Sequence, residues 1–490
     1  MALEKMASSN TCPDQRYAGL PPPISGSRRG DAPAREERWR GSTLCSTRLG
    51  REFVWISAGQ GLTVLGAIIG VRLMTELLGP ASYGKLALGM TVATLAQQVF
   101  LSPLGVTSQR FFSPSLEANQ LGAYLRVVRG LATRIIVLLL VFGAVGVTLA
   151  WAMGMTHWLP LLLAAFLFAV ISGSNGLFDS IQNAARHRQI VALHQAAAQW
   201  ARFAVAAGLL ILLGSTSTIA MLGYALASTV ILASQWLFFR SKVLPLSPSS
   251  LIHDGHTVEH WARQMRGYMW PFATWGVFTW ALVASDRWAL QAFATTSSVG
   301  HYAVLYQLGY FPITMLCSMM MQLVSPVLFS RAGDGTDPER HRSVVSLNNR
   351  MLVAACLVSA LATMLAFVLH RHVFWLLVAP EYRGVSTLLP WIVLSGGLFA
   401  SGQVAALSVV SSINTKQLIP VKIVTAILGI GLNVSGACWF GLHGVVAANL
   451  AFSCVYFVWM LCLTRRQAGL SVELSINVAR TWHVNAAESP

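Results

Sequence analysis

Charge is scarce in this chain of 490 residues. Only 11% of its residues are Asp, Glu, Lys or Arg, and the acids number 18. A soluble domain carries about 25% charged residues. So little charge cannot solvate the surface of a large globule, which excludes a soluble enzyme. With 55% hydrophobic residues, a disordered chain is excluded as well. Cysteine is also sparse. Cys12, Cys45, Cys317, Cys356, Cys438, Cys454 and Cys462 show no metal-ligand spacing, and none falls in a predicted outer loop. Neither a disulfide framework nor a metal site is therefore indicated. The apolar stretches lack period-2 alternation, so a β-barrel is excluded. No apolar run follows the first Met, and a cleavable signal peptide is not expected.

Long apolar runs are what the chain has in abundance. A bilayer core takes about 20 apolar residues per helix. About twelve runs qualify, at roughly 53–78, 84–106, 128–153, 158–180, 190–213, 217–240, 268–293, 299–329, 349–378, 385–413, 418–440 and 443–464. Lipid cannot satisfy an open backbone, so these are helices, and the fold class is an all-α polytopic membrane protein. Trp55, Trp158, Trp375 and Trp439 sit near predicted span ends, where interfacial anchoring and ordinary packing are both open.

The net charge is +16, from 34 Lys and Arg. With the N-terminus placed inside, nine basic residues fall on the tail up to Arg51 and eighteen on other inner segments. Three fall on outer loops (Lys85, Arg371, Arg383) and four within spans (Arg72, Arg134, Arg202, Arg287), which accounts for all 34. That asymmetry predicts both termini in the cytoplasm and a multi-pass protein of the inner membrane. It also makes the positive charge a topology signal rather than a nucleic-acid footprint, with some attraction to membrane lipids. Residues 1–51, polar and basic with Pro21-Pro22-Pro23, read as a flexible cytoplasmic tail.

The chain divides at the polar segment 241–267, expected as a cytoplasmic inter-lobe loop. Residues 52–240 form an N-lobe and 268–466 a C-lobe of six helices each, followed by a cytoplasmic tail at 467–490. The first hairpins of the halves are alike. Arg72-Leu73-Met74-Thr75 leads to Ser82-Tyr83-Gly84-Lys85-Leu86-Ala87, and Arg287-Trp288-Ala289-Leu290 leads to Ser298-Val299-Gly300-His301-Tyr302-Ala303. An even number of spans per half makes the repeat parallel, and transporters built this way place the substrate at the repeat interface.

Four segments carry a family resemblance: Leu78-Gly79-Pro80-Ala81-Ser82-Tyr83-Gly84; Pro271 followed by Asp286-Arg287 and Val299-Gly300-His301-Tyr302-Ala303; Ala379-Pro380-Glu381-Tyr382-Arg383; and Gly441-Leu442-His443-Gly444-Val445-Val446-Ala447-Ala448. In this order on twelve spans the chain resembles the polysaccharide or O-antigen flippases of the multidrug/oligosaccharidyl-lipid/polysaccharide exporter superfamily, over about residues 53–465. The resemblance implies two six-helix lobes around a central cavity and alternating access. It implies a lipid-linked oligosaccharide as cargo, with polysaccharide polymerase and export machinery as candidate partners.

Ionisable groups within a bilayer are costly, and each is a candidate site. Arg202 lies near the middle of the fifth span and lacks an obvious local partner. Arg72, Asp286 and Arg287 lie in the outer third of spans one and seven. Asp179, Arg134, Lys422 and Glu52 lie near inner ends, where a side chain reaches water by snorkelling. Arg72 and Arg287 occupy matching places in the repeat. A guanidinium fork suits the pyrophosphate of a lipid-linked sugar. The alternative is local pairing, Arg72 with Glu76 and Arg287 with Asp286. Asp286 is a further candidate, for a coupling cation. No cofactor is indicated. Gly79-Pro80-Ala81-Ser82-Tyr83-Gly84-Lys85 fits the opening of a P-loop, but Leu86 follows where Ser or Thr is needed, and no strand precedes it. Asn433-Val434-Ser435 fits a glycosylation acceptor but falls inside a predicted helix. A drug/cation antiporter of the same superfamily and a membrane sugar polymerase or ligase remain alternatives. Against the enzyme, the outer loops are short, with charge only around His370-Arg371-His372 and Glu381-Arg383.

Overall fold

In the computed structural model the described residues are 57–246, 255–332, 338–411 and 418–487, and among them every regular element is helical. The N-lobe contains α1 (Ser57–Leu77), α2 (Pro80–Ala96), α3 (Ser102–Glu117), α4 (Leu121–Ala152), α5 (Leu159–Ala184), α6 (Arg188–Leu213) and α7 (Ser217–Lys242). The C-lobe contains α8 (Gly255–Phe293), α9 (Thr296–Leu305), α10 (Phe311–Ala332), α11 (Pro338–Leu377), α12 (Leu389–Ser411) and α13 (Leu418–Ala487).

Two pairs of these helices are single spans. A π-helical turn, Gln97–Leu101, joins α2 to α3, and a second, Tyr306–Tyr310, joins α9 to α10. Such turns leave backbone groups out of register and concentrate at functional sites. Conversely, α13 is two spans. Gly441 breaks it with φ 56° and ψ −129°, a conformation that a Cβ would disfavour.

Among the described residues, ten stretches are long and apolar enough to cross a membrane. Separating the limbs of α13 adds one. The other is α8, which has the length, 39 residues, but whose Trp, Tyr and Thr dilute its apolarity. The sum is the twelve expected spans in two six-helix lobes.

Local chemistry accounts for the helix ends. Pro80 sits in the first turn of α2, where its missing N–H costs nothing. Thr216 caps α7, its Oγ1 accepting from the Ile219 N–H at 3.3 Å, and Thr295 caps α9 in the same way through Ser298 at 3.1 Å. Arg240 and Lys242 occupy the last turn of α7, where the helix dipole favours cations. Helix α8 begins at Gly255, so the polar segment 241–267 is helical over much of its length. The backbone of 467–487 continues α13. The basic tail, 1–51, lies outside the described residues.

Apolar side chains face outward in quantity. On α4, Leu138 and Leu140 are each 57% exposed, a surface suited to lipid rather than water. Inside, Met74, Phe168 and Tyr224 anchor an N-lobe core, and Tyr302, Phe374, Tyr382 and Ile392 anchor a core in the C-lobe.

The lobes meet where the repeated motif lies. A Cβ on Gly84 would stand 2.0 Å from the Thr296 carbonyl oxygen, and one on Gly300 would stand 2.0 Å from the Pro80 carbonyl oxygen. Thus α2 and α9 cross backbone against backbone, each through the glycine of its own repeat. The PEYR segment closes the same seam. Tyr382 donates its hydroxyl to the Leu78 carbonyl at 2.6 Å, its ring meets Tyr83 edge-on, and the Ala379 N–H donates to Thr75 Oγ1 at 3.3 Å. Helix α8 leans on α2 as well. The Trp280 indole donates to the Thr91 carbonyl at 2.7 Å, and the Trp288 indole donates to Thr91 Oγ1 at 3.0 Å.

Candidate functional site

A cavity of about 260 Å³ lies between the lobes, walled by α2, α6 and α7 on one side and by α8, α9 and the second π turn on the other. Two guanidiniums reach it, Arg202 from the N-lobe and Arg287 from the C-lobe, and no acidic residue lines it among the described residues. Gln98, Gln199, Thr94 and Gln307 supply further polar atoms, and Tyr83, Tyr224, Trp280 and Tyr306 supply aromatic faces.

The two cations are held differently. Arg202 lies on α6 with its guanidinium 5.3 Å from the Phe168 ring centre and 5.6 Å from that of Tyr224. Its Nε is buried with no hydrogen-bond partner among the described residues. Aromatic faces offset part of the cost of burying a cation, but they do not satisfy its N–H groups.

Arg287 is anchored. It donates to the Val283 carbonyl at 3.1 Å and to Asp286 Oδ1 at 3.4 Å, and lies 4.6 Å from the Tyr306 ring centre. Asp286 is itself fixed by Tyr302, whose hydroxyl donates to Oδ2 at 2.6 Å. Asn449, on the second limb of α13, donates to that hydroxyl at 2.7 Å. Asp286 is 3% exposed and is not part of the cavity wall, so it holds Arg287 rather than facing a ligand.

Arg72 stands elsewhere. It pairs with Glu76 one turn on, and donates to the Val378 carbonyl at 2.8 Å, at the C-terminal end of α11. There it satisfies one of the free carbonyls that every helix end leaves. The structure therefore brings Arg202, Arg287 and Asp286 to one region and puts Arg72 on the lobe seam.

Sequence reasoning missed Gln199, Gln98, Tyr224 and Tyr306 as cavity residues. For Gln199 a signal was present: Gln195, Gln199 and Arg202 recur at i, i+4 and i+7, and the other residues from Ala196 to Leu213 are apolar. For Tyr224, alone on a buried face, none was. Among the described residues no group of three His, Cys, Asp or Glu is placed to hold a metal ion.

The family model described as "Polysaccharide biosynthesis protein" matches residues 49–332. No curated protein matches. Among solved structures, "Lipid II flippase MurJ, inward closed conformation" superposes with a TM-score of 0.64 at 12% identity, covering 89% of this chain and 93% of that one. "Inward-facing conformation of a multidrug resistance MATE family transporter of the MOP superfamily" gives 0.58 at 14% identity, covering 84% and 96%. The bent form of the Vibrio cholerae MATE transporter VcmN gives 0.55 at 13% identity, covering 87% and 98%. At such identities the likeness is one of fold. The family match and the shared architecture together make this chain a member of the polysaccharide biosynthesis protein family, with the fold of the MOP superfamily.

Proposed function

We propose that the protein is a flippase that carries a polyprenyl-pyrophosphate-linked oligosaccharide across the cytoplasmic membrane by alternating access, in the synthesis of a surface polysaccharide. The observation behind this reading is the cavity with one guanidinium from each lobe, the Arg202 Nε without a hydrogen-bond partner and no acid in the wall among the described residues. A pyrophosphate is the ligand such a cavity suits, because charge-assisted hydrogen bonds to a planar fork gain most where water is excluded. The aromatic rings beside the guanidiniums offer flat faces to a sugar.

An organic cation, the cargo of a drug antiporter, would meet two like charges here. A polymerase or ligase would need reactive groups beside the bound sugar, and among the described residues no acid, Cys or His lines this cavity. In this reading the chain is a carrier with both termini in the cytoplasm, and it would deliver cargo to polymerase and export machinery on the far side.

The test uses purified protein in liposomes with a polyprenyl-pyrophosphate oligosaccharide bearing a fluorophore on the sugar. An impermeant quencher reports leaflet exchange. Protein-dependent exchange is expected. Its absence, or elongation of the sugar instead, overturns the reading.

A further inference from the structure

A second cavity, also of about 260 Å³, lies inside the C-lobe between α8, α12 and the two limbs of α13. Its wall is apolar and aromatic. Trp275 and Phe278 come from α8, Phe399 from α12, and Phe452 and Tyr456 from the second limb of α13. No charged side chain lines it among the described residues. Glycines let the wall close. A Cβ on Gly429 would stand 2.7 Å from Leu282 and 3.0 Å from Phe452, and one on Gly402 would stand 2.7 Å from the Tyr456 ring. The rim is open. Phe278 and Ile423, on α8 and the first limb of α13, are 56% and 41% exposed, and an opening edged by such side chains gives onto lipid.

One polar atom in this wall points to a ligand. Thr274 donates to the Pro271 carbonyl at 2.9 Å and Thr279 to the Trp275 carbonyl at 3.1 Å, so their hydroxyls are satisfied. The Tyr456 hydroxyl is buried with no hydrogen-bond partner among the described residues. Tyr456 is 2% exposed, and its ring is held between Phe399 and Phe452, at 5.0 and 6.2 Å between ring centres. It cannot swing out to find a partner. A donor left unpaired in an apolar wall is costly, and a ligand that accepts from it removes that penalty.

This cavity adjoins the one that holds the two guanidiniums. Val283, one turn before Arg287 on α8, lines both. A row of rings also runs between them. Tyr306, in the wall of the first cavity, stacks on Tyr310 at 4.8 Å. Tyr310 stands 6.1 Å from Phe399, and Phe399 stands 5.0 Å from Tyr456. A ligand with its anionic end at Arg287 therefore meets a continuous aromatic surface leading into the C-lobe.

We propose that the C-lobe cavity holds the isoprene units nearest the head group of a polyprenyl pyrophosphate, while the pyrophosphate occupies the cavity between the lobes. The proposal rests on the flippase reading and adds to it a site that recognises the carrier lipid itself. Two features select an isoprenoid over a saturated chain. Each isoprene unit has a double bond whose π electrons accept a weak hydrogen bond from the Tyr456 hydroxyl, whereas a saturated chain offers no acceptor. The flat face around that double bond also packs on aromatic rings.

The experiment uses the full chain in lipid nanodiscs with radiolabelled farnesyl pyrophosphate as the bound probe. Unlabelled farnesyl pyrophosphate, hexadecyl pyrophosphate and inorganic pyrophosphate are the competitors. The two lipid competitors are of similar size and partition similarly into the bilayer, so a difference between them reports the protein. In the wild type, farnesyl pyrophosphate is expected to compete at least about threefold better than hexadecyl pyrophosphate, the scale of one weak hydrogen bond. Y456F is expected to lose most of that preference. F278A, at an exposed position, is expected to stay folded and weaken farnesyl binding about threefold. A426F, which fills the cavity, is expected to weaken it at least about tenfold, the effect of excluding a few methylene groups. Both variants should bind inorganic pyrophosphate within about twofold of wild type, a difference under 1 kcal/mol, because neither residue lines the first cavity. Equal competition by the two lipids in the wild type overturns the proposal. So does farnesyl affinity that is unchanged in F278A and in A426F of normal thermal midpoint. Failure of inorganic pyrophosphate to compete, with the farnesyl preference intact, would overturn the pyrophosphate site between the lobes and leave the isoprenoid site standing.

Discussion

At the scale of the residue, the four candidate side chains divide by what satisfies them. Arg202 has aromatic neighbours and a buried, unpartnered Nε. R202A should therefore leave folding intact while weakening pyrophosphate binding. The loss of a charge-assisted bond, about 1.5–3 kcal/mol, corresponds to on the order of tenfold to a hundredfold. R202K should recover only part of it, because an ammonium is a point charge rather than a fork. Inhibition of cargo exchange by inorganic pyrophosphate, compared across the three proteins, measures this. R72A should behave oppositely. Arg72 joins α1 to the end of α11, so its removal should lower thermal stability and leave pyrophosphate inhibition within about twofold of wild type, a difference under 1 kcal/mol. Arg72 and Arg287 look equivalent by sequence position, but tertiary partners distinguish them. Val378 is 306 positions from Arg72, beyond any local reading. The Glu76 pairing, one turn away, was legible because it follows from helical spacing alone.

At the scale of the element, apolar run length was enough to place the helices, because lipid permits little else. It was not enough to find the π turns at Gln97–Leu101 and Tyr306–Tyr310, whose residues carry no distinctive pattern. Nor did it reveal that α8 starts at Gly255, since a polar helix resting on a neighbouring lobe has the composition of a loop. Trp261 shows how it rests there: its indole donates to Gln120 at 2.9 Å. The glycines of the repeat were legible as a motif but not as a crossing. G84A puts a methyl group 2.0 Å from the Thr296 carbonyl oxygen, a clash only backbone movement relieves. Overpacking of this kind costs about 1–3 kcal/mol. G84A should lower thermal stability and open the seam. Labelling of the thiol of S82C by an impermeant maleimide should then be faster in the G84A background. Equal rates would mean that the crossing does not close the seam.

At the scale of the whole molecule, two hairpin motifs and the PEYR segment meet at one seam, and Tyr83, Arg287 and Ala303 of those motifs also line the cavity beside it. Tyr83, His301, Glu381 and Tyr382 are mutual neighbours there, with the His301 and Tyr382 ring centres 5.5 Å apart and His301 reaching the Glu381 carbonyl at 3.4 Å. Short motifs thus mark how the lobes close, whereas most of the cavity wall, Gln98, Gln199, Arg202 and Tyr224 among it, is written in isolated residues on separate helices. That difference explains why fold and family could be read from sequence and the cavity only in part. The two indoles bonded to Thr91 give this architecture an optical consequence. Trp280 and Trp288 belong to one lobe and Thr91 to the other, so a rocking motion that parts the lobes must break both bonds at once. Indole emission shifts with its hydrogen bonding and surroundings, and the molecule therefore carries its own unlabelled reporter of state. Binding of cargo or pyrophosphate should change the tryptophan spectrum, and the double variant W280F/W288F should lose that change while the other 14 of its 16 tryptophans still emit.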